Sequence, residues 1–158
     1  QRLGLIQHQS VGYNVLMGAL PGAKFLQTVL SLPSREIQEA TKDAIRAVGL
    51  SDKVFESVNR LSGGQQRRVA IARAMVQNPR LILADECLGE LDAETAAEII
   101  ELLRSLAKEK DIAIFIVDHN PLRARTFCDR LLQLRGNSLI EFDNLNERYS
   151  LPQAGDSR

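Results

Sequence analysis

The chain has 158 residues, which is the size of one ordinary domain and enough to bury a hydrophobic core. Its 20 basic and 20 acidic side chains cancel, which argues against a broadly basic surface for nucleic acid. Two cysteines are too few for a disulfide scaffold and indicate a reducing compartment, and no apolar run reaches the roughly 20 residues that span a bilayer.

The N-terminal residues predict a strand and then a polar turn. Residues 2–6 have the composition of a strand, and Gln7, His8 and Gln9 follow directly. Polar residues after a strand fit a solvated turn as well as they fit a ligand-contacting loop.

Two helices are predicted in the next fifty residues. The first runs from Val11 to Leu20, and the second begins at Ser34, continues to Val48 and stops at Gly49. Residues 23–32, between the two helices, are apolar and fit either the core or a surface for a partner.

The segment around Ser62 predicts a helix start that suits an anion. Ser62 followed three places later by Gln65 fits a capping box, and a helix is expected over residues 63–77. Gly63 and Gly64 lack a Cβ atom, so an anion can approach the N–H groups at the positive end of the helix dipole. A capped core helix with a flexible entry fits the same residues.

An apolar run ending in acids follows. Residues 81–84 predict a buried strand of a parallel sheet, and carboxylates at the end of such a strand lie in the ligand-binding crevice. Asp85 is then placed to hold Mg²⁺, and Glu86 to polarise an attacking water as a general base. Two acids that simply end a strand in solvent are the alternative.

The remaining elements continue the alternation of helix and strand. Asp92 opens a helix predicted over residues 92–109, and a strand over 112–117 leads to His119. His119 is either an ordinary surface histidine or a group that contacts a γ-phosphate and senses its loss. A short helix over 121–128, a hairpin over 130–142 turning at Gly136-Asn137, and a polar tail from residue 144 complete the chain.

The order of these motifs resembles the ATP-binding cassette (ABC) transporter ATPase family over residues 2 to 142. Ser62 to Gln65 resemble its signature motif, and residues 81–86 resemble Walker B with its catalytic glutamate, Glu86. Leu91-Asp92 resembles the end of the D-loop, and His119 resembles the switch histidine.

A fifth motif is assigned less uniquely. Gln7, or alternatively Gln9, resembles the glutamine of the glutamine loop, which contacts Mg²⁺ and reports the state of the nucleotide. The residues Asn14 to Gly18 together with His119-Asn120 resemble the ATPases of phosphonate-type importers.

The resemblance implies a fold and a domain layout. The fold class is α/β, with a P-loop NTPase-like core of mostly parallel sheet and flanking helices, plus a helical subdomain, and it is incomplete at the N-terminus. The partial nucleotide-binding domain covers residues 1–143, with the helical subdomain at about 11–77 and the catalytic core at about 78–143. Residues 144–158 form a polar C-terminal tail.

The resemblance also implies a mechanism with ATP and Mg²⁺. Two ATPase subunits, identical or paralogous, pair head to tail, and Ser62, Gly63, Gly64 and Gln65 contact the γ-phosphate of ATP held by the other subunit. Asp92 belongs to the same nucleotide site. The further partners are transmembrane permease subunits and a solute-binding protein but no nucleic acid, and the location is peripheral, on the cytoplasmic face of the cell membrane.

One family motif is absent from the printed sequence. It contains no G-x-x-x-x-G-K-[ST], so the phosphate-cradling P-loop is missing, and we expect the chain alone neither to bind ATP tightly nor to hydrolyse it. Either the chain is the C-terminal part of a longer domain or it is a natural truncation.

Two alternative functions stay open at this point. One is a non-catalytic cassette that pairs with an intact ATPase and donates its signature motif to it. The family usually has Pro-Thr-Ser-Ala where this chain has Cys87-Leu88-Gly89-Glu90, and Gly89-Glu90 keeps this alternative open. The other is a soluble cassette ATPase of nucleic-acid metabolism, against which the compact spacing from signature to histidine argues.

Overall fold

The computed structural model describes residues 3–19 and 33–141, which fall into two compact units divided after Asp118. The first unit holds four α-helices and two strands among its described residues: α1 (Val11–Ala19), α2 (Arg35–Ala47), α3 (Gly63–Met75), β1 (Leu81–Asp85), α4 (Ala93–Lys110) and β2 (Ala113–Val117). Short 3₁₀ turns at Ser51–Lys53 and Val58–Arg60 connect α2 to α3. The second unit holds α5 (Pro121–Phe127), β3 (Leu132–Arg135) and β4 (Ser138–Glu141).

The predicted helix α2 is confirmed together with both of its ends. The Ser34 side chain accepts a hydrogen bond from the N–H of Ile37, which satisfies one of the free donors of the first turn. Gly49 follows the C-cap with φ of +72°, a conformation that favours glycine and stops the helix.

The hydrophobic core of the first unit lies between α1, α2 and α3. Its fully covered side chains include Val11 and Val15 of α1, Ile45 of α2 and Val69 of α3. Leu102 and Leu106 of α4 join the same cluster, so α4 packs against this core.

Helices α1 and α3 approach each other at Gly18. A Cβ atom built on Gly18 would lie 2.8 Å from Cγ1 of Val76 and would collide with the backbone carbonyl of Arg73. The missing side chain therefore sets how closely the two helices pack.

Strands β1 and β2 pair in parallel, as predicted, with Leu81 opposite Ala113 and Asp85 opposite Val117. The prediction that β1 is a buried strand is wrong for most of its residues. Ile82 is buried, but Leu83, on the other face, is 73% exposed. Pairing with β2 supplies backbone hydrogen bonds to β1 but does not by itself cover side chains that stand on either face of the sheet.

The strand predicted over residues 2–6 is also wrong within its described part. Residues 3–6 carry no strand hydrogen-bond ladder, and Gly4 has φ of +63°, outside the extended region. The carbonyls of Leu3 and Gly4 instead accept hydrogen bonds from the Arg73 guanidinium, at 2.9 and 2.6 Å. The partner of these two carbonyls is therefore a side chain of α3 and not a strand.

The second unit contains the predicted short helix and hairpin. Strands β3 and β4 pair antiparallel, and Gly136 in the turn has φ of +57°. Arg130 donates two hydrogen bonds to the Glu141 carboxylate, at 2.6 and 2.9 Å, and these bonds lower the pKa of Glu141.

Several predictions fall on residues outside the described ranges. They are the first strand residue Arg2, the first helix's last residue Leu20, the apolar segment at 23–32, the last hairpin residue Phe142 and the polar tail from residue 144. Of the helices in the described ranges, none combines the length and apolar content needed to cross a bilayer.

Helix α4 begins at an aspartate cap. The Asp92 carboxylate accepts hydrogen bonds from the N–H of Thr95 at 2.9 Å and from the Thr95 hydroxyl at 2.7 Å. The bond from the Thr95 N–H is the main reason that the pKa of Asp92 lies below its ordinary value, because it favours the charged carboxylate.

We predict that Gly18→Ala destabilises the protein by about 1–3 kcal/mol, because the new methyl group overpacks the α1–α3 crossing. The sign of this change in unfolding free energy is informative. Helix propensity alone would make Gly18→Ala stabilising, because alanine is a better helix former than glycine by about 1 kcal/mol. Urea unfolding measures the change. Gly12→Ala is the matched control in the same helix, where the nearest atoms to a Cβ lie 3.1 and 3.2 Å away, and it should cost less. Equal losses at the two positions would contradict the close packing at Gly18.

We predict a pH-dependent stability contribution from Asp92. Its pKa is lower in the folded than in the unfolded chain, so its stabilisation is complete above the unfolded pKa and is lost as the pH falls through the folded value. The melting temperature of Asp92→Ala should lie a few degrees below wild type at pH 7, and the gap should narrow below about pH 4. Glu94→Ala, which removes a charge from the same turn without removing a cap bond, should show no such gap.

Candidate functional site

The first turn of α3 is built as the sequence predicts. The N–H of Gln65 donates to the Ser62 hydroxyl at 3.2 Å, and the Gln65 side-chain oxygen accepts from the N–H of Ser62 at 3.1 Å. This reciprocal pair is a capping box, which fixes the direction of the helix start.

The two glycines of this turn have different surroundings. Gly64 is buried, and a Cβ atom there would come within 2.5 Å of Cγ2 of Thr95 in α4. Gly63 is exposed, and the nearest atom to its would-be Cβ is Cδ2 of Leu91 at 3.8 Å. Packing within the chain therefore requires a glycine at 64 but not at 63.

The N–H groups of Gly63 and Gly64 donate to no acceptor among the residues that the structure describes. Donors in the first turn of a helix have no partner within the helix, and the positive end of the dipole adds to their attraction for anions. The geometry therefore offers two N–H donors to an anion from outside this part of the chain.

A polar cleft lies beside this helix start. It has a volume of about 290 Å³ and is lined among others by Gly49, Ser62, Gln65 and Arg68. Arg68 donates to Glu98 at 3.0 Å and to the carbonyl of Val48 at 3.2 Å, so its charge is paired at the cleft wall.

The loop after β1 presents the two predicted acids. Asp85 ends the strand with its side chain exposed, and Glu86, half-buried, has φ of +46°. The N–H of Glu86 donates to the carbonyl of Val117 in β2 at 3.0 Å, which fixes the peptide at the carboxyl edge of the sheet. Glu90 has φ of +61°, so two non-glycine residues of this short loop have a left-handed backbone conformation.

Arginine 67 joins α3 to this loop. Its guanidinium donates to the carbonyl of Gly89 at 2.6 Å and to the carbonyl of Glu86 at 3.4 Å, and the side chain is 7% exposed. Sequence reasoning missed this residue. The available signal was a run of basic residues on a helix that otherwise packs into the core.

The glutamine-loop candidates are held through their main chain. The carbonyl of Gln7 accepts from the N–H of Asn59 at 2.9 Å, and that of Gln9 accepts from the N–H of Val58 at 3.0 Å. Both glutamine side chains are exposed, so the geometry does not favour one over the other. These contacts bring the loop to the 3₁₀ turn just before Leu61 and Ser62.

Asn14 organises the same loop from α1. It is buried, its side-chain oxygen accepts from the N–H of Ile6 at 2.7 Å, and its amide donates to the carbonyls of Ile6 and Ser10, each at 3.0 Å. Sequence reasoning used Asn14 only for a subfamily resemblance. A lone amide amid apolar residues of a helix was the sign of a structural role.

The predicted site residues are divided between the two units. Ser62 to Gln65, Asp85, Glu86, Asp92 and Gln7 belong to the first unit, where hydrogen bonds and packing connect their segments. His119 begins the second unit, exposed, immediately before Asn120, whose side chain caps α5 by accepting from the N–H of Arg123 at 3.0 Å.

Two curated proteins have similar sequences. A phosphite import ATP-binding protein of Stutzerimonas stutzeri is 43% identical over 139 residues, which is 88% of this chain and 50% of that protein. A phosphonates import ATP-binding protein of Escherichia coli O157:H7 is 36% identical over 155 residues, which is 94% of this chain and 58% of that protein. The chain thus spans about half the length of these relatives.

Solved structures have the same fold. The protein cbiO1 of Clostridium perfringens, part of an ABC transporter complex, superposes with a TM-score of 0.73 at 29% identity, over 84% of this chain and 50% of that one. An ATP-binding cassette of an ABC transporter in its ADP conformation superposes with a TM-score of 0.72 at 26% identity, over 85% and 55%. These matches confirm the predicted α/β fold of an ABC ATPase.

The model of the ABC transporter family matches residues 1–89, the span that contains the glutamine-loop candidates, the capped Ser62–Gln65 turn and the acids after β1. Since that span is more than half of the chain, the chain belongs to the ABC transporter family.

Proposed function

We propose that this chain is part of the ATP-binding and ATP-hydrolysing subunit of an ABC importer. The observation that carries the proposal is the start of α3, where a capping box fixes the helix and the N–H groups of Gly63 and Gly64 have no acceptor among the residues that the structure describes. An anion at this position would be stabilised by the positive end of the helix dipole and by hydrogen bonds from both N–H groups. The γ-phosphate of ATP held by a second subunit is the anion that this family provides, and the Ser62 hydroxyl and Gln65 amide lie at the same turn.

The carboxylates after β1 suit the magnesium that accompanies ATP. Within residues 3–19 and 33–141, no cluster of three or more His, Cys, Asp or Glu side chains forms a metal cage. Mg²⁺ instead prefers one or two carboxylates together with water and phosphate oxygens, and the exposed Asp85 carboxylate can supply one such ligand. Bound Mg²⁺ would neutralise charge on the phosphates.

Glu86 is the proposed general base. Its backbone is fixed to β2 and to Arg67, which limits the directions its carboxylate can take. A carboxylate so placed can accept a proton from the attacking water as that water adds to phosphorus. Gln7, or alternatively Gln9, would contact the metal and report nucleotide state. His119 would donate a hydrogen bond to the γ-phosphate, and Asp92, as the α4 cap, would orient the adjoining loop at the subunit boundary.

The cargo and partners follow from the relatives. Proteins 36% and 43% identical to this chain are named as import ATP-binding proteins for phosphonates and phosphite, so a small phosphorus oxyanion is the proposed cargo. The partners would be permease subunits, a second ATPase subunit and a solute-binding protein, at the cytoplasmic face of the membrane.

A non-catalytic cassette is the second candidate. Glu90 favours it, since this acid stands in a left-handed conformation close in sequence to Glu86 and Asp92 and adds charge where phosphate must approach. Such a chain would donate its Ser62–Gln65 turn to an intact partner and would need no general base of its own.

We predict that Glu86→Gln, in the complete protein assembled with its permease, slows ATP hydrolysis by about 100-fold or more while ATP still binds, because the amide cannot accept the proton. Phosphate release and uptake of a phosphonate into vesicles measure the two outcomes. Glu109→Gln, on an exposed face of α4, is the control. Undiminished hydrolysis by Glu86→Gln would support the non-catalytic candidate, and hydrolysis that phosphonate and its binding protein do not stimulate would overturn the cargo.

We predict opposite behaviour for the two glycines. Gly63→Ala should leave the melting temperature unchanged, since the nearest atom to its Cβ, Cδ2 of Leu91, lies at an ordinary contact distance of 3.8 Å. It should nevertheless lower hydrolysis about tenfold or more by holding the phosphate away from the N–H groups. Gly64→Ala should lower the melting temperature by several degrees because of its clash with Thr95. If Gly63→Ala hydrolyses ATP as fast as wild type, this turn does not bind the phosphate.

A further inference from the structure

The buried guanidinium of Arg67 lies between the start of α3 and the loop of residues 86–90. It is one turn along the helix from Gly63, and its side chain is 7% exposed. In the part of the chain that the structure describes, it bonds only to the carbonyls of Glu86 and Gly89. No carboxylate competes for it there, so its donors serve the backbone of this loop alone.

The two carbonyls are the ones that define the shape of the loop. Glu86 is itself left-handed, and Gly89 directly precedes the left-handed Glu90. The N–H of Gly89 also donates to the carbonyl of Glu86 at 3.0 Å, which closes a turn between them. Arg67 thus binds both ends of a strained turn, and hydrogen bonds from a charged donor are the stronger kind.

The other arginines of α3 differ in what they hold. Arg73 also donates to two backbone carbonyls, but those belong to Leu3 and Gly4. Arg68 pairs with Glu98 and binds the end of α2. Among these three arginines, Arg67 is the one whose bonds reach the loop of the proposed general base.

We propose that Arg67 is a positioning residue that links the phosphate-binding start of α3 to the orientation of Glu86, an inference that rests on the proposed function. A second subunit that brings its nucleotide to Gly63 would shift the start of α3. Because one turn of a helix is stiff, Arg67 would move with Gly63 and would displace the two carbonyls to which it donates. The general base of one nucleotide site then takes its working orientation when the phosphate of the other site is seated.

Steady-state ATP hydrolysis by the complete protein in its transporter assembly tests the proposal. Arg67→Gln should lower kcat about tenfold or more, change the KM for ATP less than about twofold, and reduce the Hill coefficient for ATP toward 1. Arg67→Lys should recover part of kcat, because an ammonium group can still donate to one carbonyl. Arg73→Gln is the matched control, since it removes the same number of bonds to backbone carbonyls without touching the loop, and it should keep its cooperativity.

Hydrogen exchange supplies a readout that needs no turnover. Arg67→Gln should speed exchange at the backbone amides of residues 86–90, whereas Arg73→Gln should not. If Arg67→Gln does not fold, Arg67→Lys decides by the same measurements. A loss of kcat no larger than that of Arg73→Gln, a loss that appears only in KM, or unchanged exchange in the loop would overturn the role of Arg67. A wild-type assembly that does not hydrolyse ATP would instead overturn the proposed function.

Discussion

Three arginines of helix α3 donate hydrogen bonds to backbone carbonyls of three segments that are distant in sequence. The arrangement of the first unit depends on these bonds. Turns and helix ends leave carbonyls that no regular structure pairs, and such groups are costly to bury without a donor. Arg67 supplies donors after β1, Arg68 at the end of α2 and Arg73 at residues 3–4. Helix α3 therefore fixes the loops around it as well as packing into the core.

The same helix must meet two demands at its first turn. On the inner side, Gly64 lets Thr95 approach, which joins the helix start to the cap of α4. On the outer side, Gly63 is exposed, and in the described part of the chain neither its N–H group nor that of Gly64 has an acceptor. The two adjacent glycines therefore have different roles. Gly64 allows α3 to pack against Thr95, and Gly63 places no side chain at the exposed start of the helix.

Local signals in the sequence predicted local structure well. The capping box at Ser62, the stop at Gly49 and the turn at Gly136 depend on neighbouring residues, and the structure contains all three. The failures concern long-range contacts. Residues 3–6 have the composition of a strand, but Arg73, about seventy positions away, takes their carbonyls. Likewise, no spacing rule links Arg67 to Gly89, because that contact exists only after α3 has packed beside the loop.

The left-handed backbone at Glu86 changes how substitutions there should be interpreted. A β-branched residue fits this conformation poorly, whereas asparagine and glycine adopt it readily. The activities of a saturation library at this position would therefore depend on two properties at once. These are the ability of the new side chain to accept a proton and the ability of the new residue to adopt a positive φ. Loss of activity on substitution by threonine or valine would mix these two effects, because both residues fit the backbone poorly. Glu86→Gln, which is nearly isosteric, changes only the carboxylate, and Glu86→Gly tests the protein without a side chain in an unstrained backbone.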